Sequence, residues 1–166
     1  ESWNGSAWTE VNDLNSGRRQ LGGSGTQTSS LAYGGESAPT ADLALTESWD
    51  GTSWTEVADL STARNLIASA GADNLSALAS GGNRAPGVTG ATEEWNGATP
   101  VGAWTTGTDM NTARKNGGAT DVGDADSSMK VSGEDAGGSK VANTEIWNGT
   151  SWTEVSDLNT ARYDGA

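Results

Sequence analysis

Residues 46–57 of the chain read Thr-Glu-Ser-Trp-Asp-Gly-Thr-Ser-Trp-Thr-Glu-Val, two strand-like runs on either side of Asp50-Gly51. Asp-Gly in this setting is the strongest short-range signal for a β-hairpin, because a type I′ turn needs positive φ at both central residues. With a two-residue turn, strand alternation makes Trp49 and Trp54 diagonal neighbours. The stretch therefore predicts a hairpin with two large aromatic side chains on one face.

The same stretch recurs along the chain, and its first tryptophan returns after 46, 46 and 52 residues. A period of this length defines a repeat architecture, in which each unit buries its apolar surface against its neighbours. We assign the tryptophans to the cores of the repeats. The eight tryptophans form the pairs Trp3 and Trp8, Trp49 and Trp54, Trp95 and Trp104, and Trp147 and Trp152.

An arginine follows each tryptophan pair at the end of a short signature such as Asp59-Leu-Ser-Thr-Ala-Arg64. A ligand-binding ring is one interpretation of these arginines. A residue that occurs in every repeat is better explained as part of the repeat, paired with Asp, Glu or backbone carbonyls where two units meet. We therefore assign the arginines to the junctions between units. The four arginines are Arg18, Arg64, Arg114 and Arg162.

Small and apolar residues follow each arginine and lead to glycines, as in Leu31-Ala-Tyr-Gly-Gly35 and Leu78-Ala-Ser-Gly-Gly82. In the second repeat, residues 66–71 and 75–80 are predicted as two strands joined by a turn at 72–74. A helix through this alanine-rich stretch is the alternative, but the glycines in the stretch would interrupt a helix.

The order of these elements resembles the kelch repeat, in which an arginine opens the unit and a diglycine ends the second strand. An aromatic residue and a tryptophan mark its third and fourth strands. The sequence Trp-Asn-Gly-Thr-Ser-Trp is also similar to the repeats in certain proteins of marine bacteria and their phages. The resemblance implies an all-β fold, a β-propeller of four-stranded blades. The expected units are a partial blade at 1–17, blades at 18–63, 64–113 and 114–161, and the start of another at 162–166.

A propeller has four to eight blades, which is more than these units supply. We therefore expect either that the chain belongs to a longer protein or that copies complete one another. In the second case, residues 1–14 of one copy would complete the blade that begins at Arg162 of another. The sequence does not fix the total number of blades.

Composition excludes several classes of function. The net charge of −13 disfavours a nucleic-acid partner, and no run approaches the roughly 20 apolar residues of a membrane helix. Cysteine and histidine are absent, which removes thiolate metal sites and the commonest general base. We expect no cofactor, no metal and no catalytic residue in this segment.

One acidic stretch has two interpretations. Asp121, Asp124 and Asp126 offer carboxylates that a calcium ion would accept, but their spacing is not that of an EF-hand loop. A solvated acidic turn is the other interpretation. Both stay open at the level of sequence.

Three functions remain. The first is a non-enzymatic structural or adhesive module of an extracellular assembly, such as a phage fibre, a virion component or a secreted surface filament, with self-association as its partner interaction. The alternative is a propeller that binds glycan or protein through its uneven loops at 83–91, 96–103 and 121–140. The third is the propeller part of a larger enzyme whose catalytic residues lie outside this segment. The expected location is extracellular or the virion surface.

Overall fold

A computed structural model describes residues 1–100, 102–119 and 125–163 of the protein. These residues are all-β, with 18 strands and no helix. No helix that could cross a membrane occurs in them. The all-β prediction is therefore confirmed, and the helical alternative for the second repeat is wrong because glycines and β-strand pairing occupy that stretch.

Most of the strands form three antiparallel four-stranded sheets. Each sheet is built within one predicted repeat, and its strands pair in chain order. The first sheet contains β3 (Gly22–Thr26), β4 (Ser29–Tyr33), β7 (Thr46–Trp49) and β8 (Trp54–Val57); the second contains β9 (Ala68–Asp73), β10 (Ser76–Ser80), β13 (Thr92–Asn96) and β14 (Ala103–Thr106); the third contains β15 (Gly118–Ala119), β16 (Ser128–Glu134), β17 (Lys140–Trp147) and β18 (Trp152–Val155).

Two-stranded elements complete the described fold. The first hairpin, β1 (Ser2–Trp3) with β2 (Trp8–Thr9), matches the last two strands of a sheet. Two short ribbons follow the second strand of the first and second sheets. The ribbons are β5 (Glu36–Ser37) with β6 (Ala41–Asp42), and β11 (Asn83–Arg84) with β12 (Gly87–Val88).

The predicted two-residue hairpin turn is wrong. Trp49 pairs directly with Trp54, so four residues form the loop and the indoles are directly opposite rather than diagonal. A type I′ turn would need positive φ at both Asp50 and Gly51, but only Gly51 has it, at 94°. Asp50 Oδ1 instead accepts hydrogen bonds of 2.8 Å from the backbone N–H groups of Thr52 and Ser53. This side-chain turn replaces the type I′ turn, and the indoles still share one face.

The longer third hairpin keeps the same pairing. Trp95 lies opposite Trp104 although eight residues lie between them in sequence. The extra residues fall between the two paired strands, where an insertion leaves both strands intact. In the second sheet, the predicted turn at 72–74 falls later, because β9 continues through Asp73 and β10 begins at Ser76.

The core lies between consecutive sheets. Leu31 and Tyr33 of the first sheet pack against Ala77, Ala79 and Trp95 of the second. On the opposite face of the second sheet, Ala70 and Leu78 pack toward the third sheet. The second sheet thus buries apolar side chains on both faces. The partners of Ala70 and Leu78 are Met110, Ala125, Trp147 and Trp152.

Candidate functional site

The repeated arginines lie at the junctions, by which we mean the contacts between one sheet, or the first hairpin, and the next sheet. Each of the first three is fully buried as a side chain and forms an ion pair with a glutamate in the third strand of the following sheet. The atoms of the second pair, Arg64 Nη2 and Glu93 Oε1, are 3.0 Å apart. The three pairs are Arg18 with Glu47, Arg64 with Glu93, and Arg114 with Glu145.

The loop that carries each arginine also donates backbone hydrogen bonds to the same carboxylate. The N–H groups of Asn15, Ser61 and Asn111 approach their glutamates at 2.7, 2.8 and 2.7 Å. We call the loops at 13–18, 59–64 and 109–114 carboxylate clamps, since backbone and guanidinium enclose one carboxylate. Each clamp links the end of one unit to the middle of the next.

In the first clamp, electrostatics favour the ionised form of Glu47. Burial alone raises the pKa of Glu47, but hydrogen bonds from the Arg18 guanidinium and the Asn15 backbone outweigh it, so the pKa lies below its usual value. The arginine is satisfied on its other side as well. Arg18 Nη2 donates to the carbonyl of Ala32 at 3.1 Å, which ties the clamp to the second strand of the sheet.

The second tryptophan of a pair makes a further contact across the junction. Trp104 Nε1 donates to Thr46 Oγ1 at 3.0 Å, and Trp152 Nε1 donates to Thr92 Oγ1 at 2.9 Å. Each threonine directly precedes the clamped glutamate of its own sheet. The two junctions between consecutive sheets therefore combine a clamp with an indole–hydroxyl hydrogen bond.

At the two ends of the described array, the same residue types lie in different surroundings. Trp3 and Trp8 are 39% and 64% exposed, whereas Trp152 is 6% exposed. At the other end, Arg162 is exposed and forms no ion pair with the described residues. Thr144 Oγ1 is buried and has no hydrogen-bond partner within the described ranges.

The third sheet departs from the others at one position. Lys130 occupies the place of Ala32 and Ala79, and its carbonyl accepts the hydrogen bond from Arg114. Gly117 stands where the second repeat has Ile67, and a Cβ there would lie 2.9 Å from Lys130 Cε. The Lys130 side chain thus takes space that a side chain at position 117 would need.

The amine of Lys130 has no exposed surface and no hydrogen-bond partner among the described residues. Burial lowers its pKa to about 7, helped by the nearby Arg114 and opposed by Glu145. A buried amine of this kind is a weak point of the junction rather than a support for it.

A polar pocket of about 340 Å³ is lined by both ribbons. Glu36, Asp42 and Arg84 supply charged groups to it. Asn65 also lines it, and Asn65 Oδ1 is buried without a hydrogen-bond partner among the residues described. The pocket thus combines carboxylate, amide and guanidinium groups near one opening.

The predicted cation site can be followed only in part. Asp121 and Asp124 lie outside the described residues. Asp126 is exposed. Burial is the main cause of the raised pKa of Glu94, and the negative charge of Asp126 raises that pKa further. No cluster of three or more metal-ligating side chains occurs in the part of the chain that the structure describes.

Sequence reasoning missed the glutamates of the clamps. A Thr-Glu dipeptide precedes the last three tryptophan pairs, but the sequence alone assigns no role to it. Its signal was the fixed offset of two residues from the first tryptophan, which places Glu and Trp on the same face of a strand. A second glutamate series, which follows the second tryptophan of three pairs by two residues, is exposed instead: Glu10, Glu56 and Glu154.

Comparison with known proteins adds no assignment: the chain matches no family model, and no curated protein shows significant similarity to it.

Proposed function

We propose that the protein is a non-enzymatic structural or adhesive repeat module of an extracellular assembly. A phage fibre, a virion component or a secreted surface filament would be such an assembly. One observation carries the proposal: buried clamps repeat at three successive junctions, so the repeated residues serve the stacking of one unit on the next.

The arrangement of strands supports kelch-like propeller blades as the form of the module. A diglycine directly follows β4 and β10, and the paired tryptophans lie on the third and fourth strands of each sheet. Units that bury surface only against their neighbours are typical of such arrays. Electron microscopy of the assembled protein is expected to show the sheets arranged around a central axis; a straight stack of sheets would contradict the propeller.

The proposed location is tested by imaging. Antibodies against residues 1–166, applied to the producing cells and their phages, are expected to decorate filaments or particles in electron microscopy. Uniform labelling of the cell interior, with particles and surface left bare, would contradict the proposal. Antibody adsorbed with the pure chain is the control.

A binding function is the second candidate, and the pocket between the ribbons favours it. Its carboxylates and amide oxygens suit the hydroxyl groups of a glycan. In this case a glycan array gives a signal that Asp42→Ala abolishes. Shortening the tip at 96–103 is the control and leaves the signal unchanged, because none of the described residues of that loop lines the pocket. Failure to bind any glycan would reject this candidate.

A further inference from the structure

One backbone pair recurs in all three repeats beside the clamps. The residue after each clamp arginine pairs, through its backbone, with the residue that follows the glycines of the same repeat. In the first and third repeats the two side chains also form an ion pair. Arg19 Nε lies 3.2 Å from Glu36 Oε2, and Lys115 Nζ lies 3.3 Å from Glu134 Oε1.

The second repeat keeps the backbone pair but replaces both charged side chains with amides. Asn65 and Asn83 exchange backbone hydrogen bonds of 2.9 and 2.8 Å. The side-chain oxygen of Asn65, a residue only 5% exposed, has no hydrogen-bond partner among the described residues. An unpaired buried acceptor lowers stability, so stacking of the sheets does not explain this pair of amides.

Both asparagines line the polar pocket of about 340 Å³ between the ribbons. Two charged side chains of this pocket also lack a counter-ion: no ion pair within the described ranges includes Asp42 or Arg84. Glu36, in contrast, is engaged by Arg19. The pocket therefore presents an amide, a carboxylate and a guanidinium that are all available to a ligand.

We propose that this pocket binds an acidic sugar of a glycan, such as a uronic acid, which carries a carboxylate beside its hydroxyl groups. The proposal rests on the binding function given above as the second candidate and names its ligand class. The sugar carboxylate pairs with Arg84, and hydroxyl groups donate to Asp42 and to Asn65 Oδ1. Because that oxygen is covered, the amide turns about its Cβ–Cγ bond when the ligand binds.

Arg84 decides between neutral and acidic sugars. A neutral sugar supplies donors for Asp42 and Asn65 but no anion for the guanidinium, whereas a uronic acid supplies both. The net charge of −13 does not prevent this pairing, because exposed charges farther away than about 8 Å are largely screened at physiological salt. The pocket volume lies near the lower end of the range of about 300–1,000 Å³ for small-ligand sites, which suits a short stretch of glycan.

Isothermal titration calorimetry of the 166-residue chain tests the ligand class. The probes are oligomers of galacturonic, glucuronic and mannuronic acid, each compared with its methyl ester, which keeps the ring hydroxyls and loses the charge. We expect one of the acids to bind roughly 10-fold more tightly than its ester, as a charge-assisted hydrogen bond supplies. Arg84→Gln removes this preference. Arg162→Gln, which changes an exposed arginine outside the pocket, is the matched control and keeps it.

A double substitution tests the pair of amides. Asn65→Lys with Asn83→Glu installs the ion pair that Lys115 and Glu134 form in the third repeat, and the new lysine occupies the space of the ligand. The variant is expected to remain folded by circular dichroism and to bind neither acid nor ester. Undiminished binding by this variant would place the site elsewhere and overturn the proposal.

The calorimetry separates failure of this proposal from failure of the binding function. Equal affinity for acid and ester, or no binding of any of the three acids, overturns the choice of an acidic sugar. Neutral glycans that still bind on the array, with loss of the signal in Asp42→Ala, would then support the second candidate function alone. An array without any signal rejects both.

Discussion

The first hairpin and the last hairpin of the chain have nearly the same sequence and very different surroundings. Residues 1–11 and 145–155 differ at only three positions. Their indole pairs have interplanar angles of 43° and 44°. Trp8 is nevertheless 64% exposed and Trp152 only 6%. The local sequence determines the hairpin, and the neighbouring sheet determines whether the hairpin is buried.

This difference implies that stability resides in the junctions more than in the hairpins. A substitution at a clamp or an indole should therefore have a large effect inside the array and a small effect at its ends. The following comparisons assume dilute protein, so that only contacts within one chain contribute.

The largest effect is expected from breaking a clamp. Arg114→Ala leaves the carboxylate of Glu145 buried without its ion pair, which costs about 3–5 kcal/mol of unfolding free energy. Arg162→Ala is the matched control and changes stability by less than about 0.5 kcal/mol, because Arg162 is exposed. Urea titration followed by circular dichroism measures both. Equal losses at the two positions would contradict the role of the junction.

Truncating an indole should come next. Trp152→Ala removes a buried side chain from the core between the second and third sheets, which costs about 3–4 kcal/mol. Trp8→Ala, in the exposed hairpin, costs less than about 1 kcal/mol. The same titration compares them. If Trp8→Ala lowers the unfolding free energy as much as Trp152→Ala does, the stability of a hairpin is local and does not depend on the neighbouring sheet.

Lys130 predicts a pH dependence confined to one junction. Its pKa is about 7 in the folded chain, against an ordinary value of 10.5. Between these values the unfolded chain binds the additional proton, so stability rises with pH by up to about 1.4 kcal/mol per unit and is independent of this group below about pH 6.

Lys130→Met keeps the apolar stem and removes the titrating amine. The difference in unfolding free energy between the variant and the wild type is expected to shrink as pH rises from 7 toward 10, with the variant more stable at neutral pH. Urea titrations at several pH values provide the measurement. Lys140→Met, which changes an exposed lysine, is the control and shows no such slope.

The smallest effect concerns the indole–hydroxyl hydrogen bond. Thr92→Val leaves the indole N–H of Trp152 without its acceptor, which costs about 1–2 kcal/mol. Thr144→Val removes a buried hydroxyl that lacks a partner, so it is neutral or slightly stabilising. Thermal unfolding of both variants checks the difference. A loss at Thr144 matching that at Thr92 would show that the hydrogen bond is not what matters.

The hairpins were predictable because their signals are local. Paired tryptophans on either side of Asp-Gly or Asn-Gly define two short strands, and the longer third copy retains the same pairing. The turn geometry was not predictable from the dipeptide alone. In Asp50-Gly51 the carboxylate competes with the backbone for N–H groups, and it makes a four-residue loop as satisfactory as a two-residue one.

The junction contacts were predictable only as a class. Sequence indicated that Arg18 meets a carboxylate or a carbonyl, and the structure places it against both. It did not identify Glu47, because 29 residues separate the partners and the pairing depends on how units stack. Lys130 shows the same limit: strand alternation assigns a face, whereas burial comes from the neighbouring sheet.

The series arrangement of the clamps has a mechanical consequence. Each clamp holds the sheet that follows it, so a pull on the two ends of the chain loads the ion pairs one after another. Rupture of one junction would release a single 46-residue unit, about 150 Å of extended backbone, while the remaining sheets stay folded. Such a chain would absorb a sudden load by lengthening in steps instead of breaking its attachment.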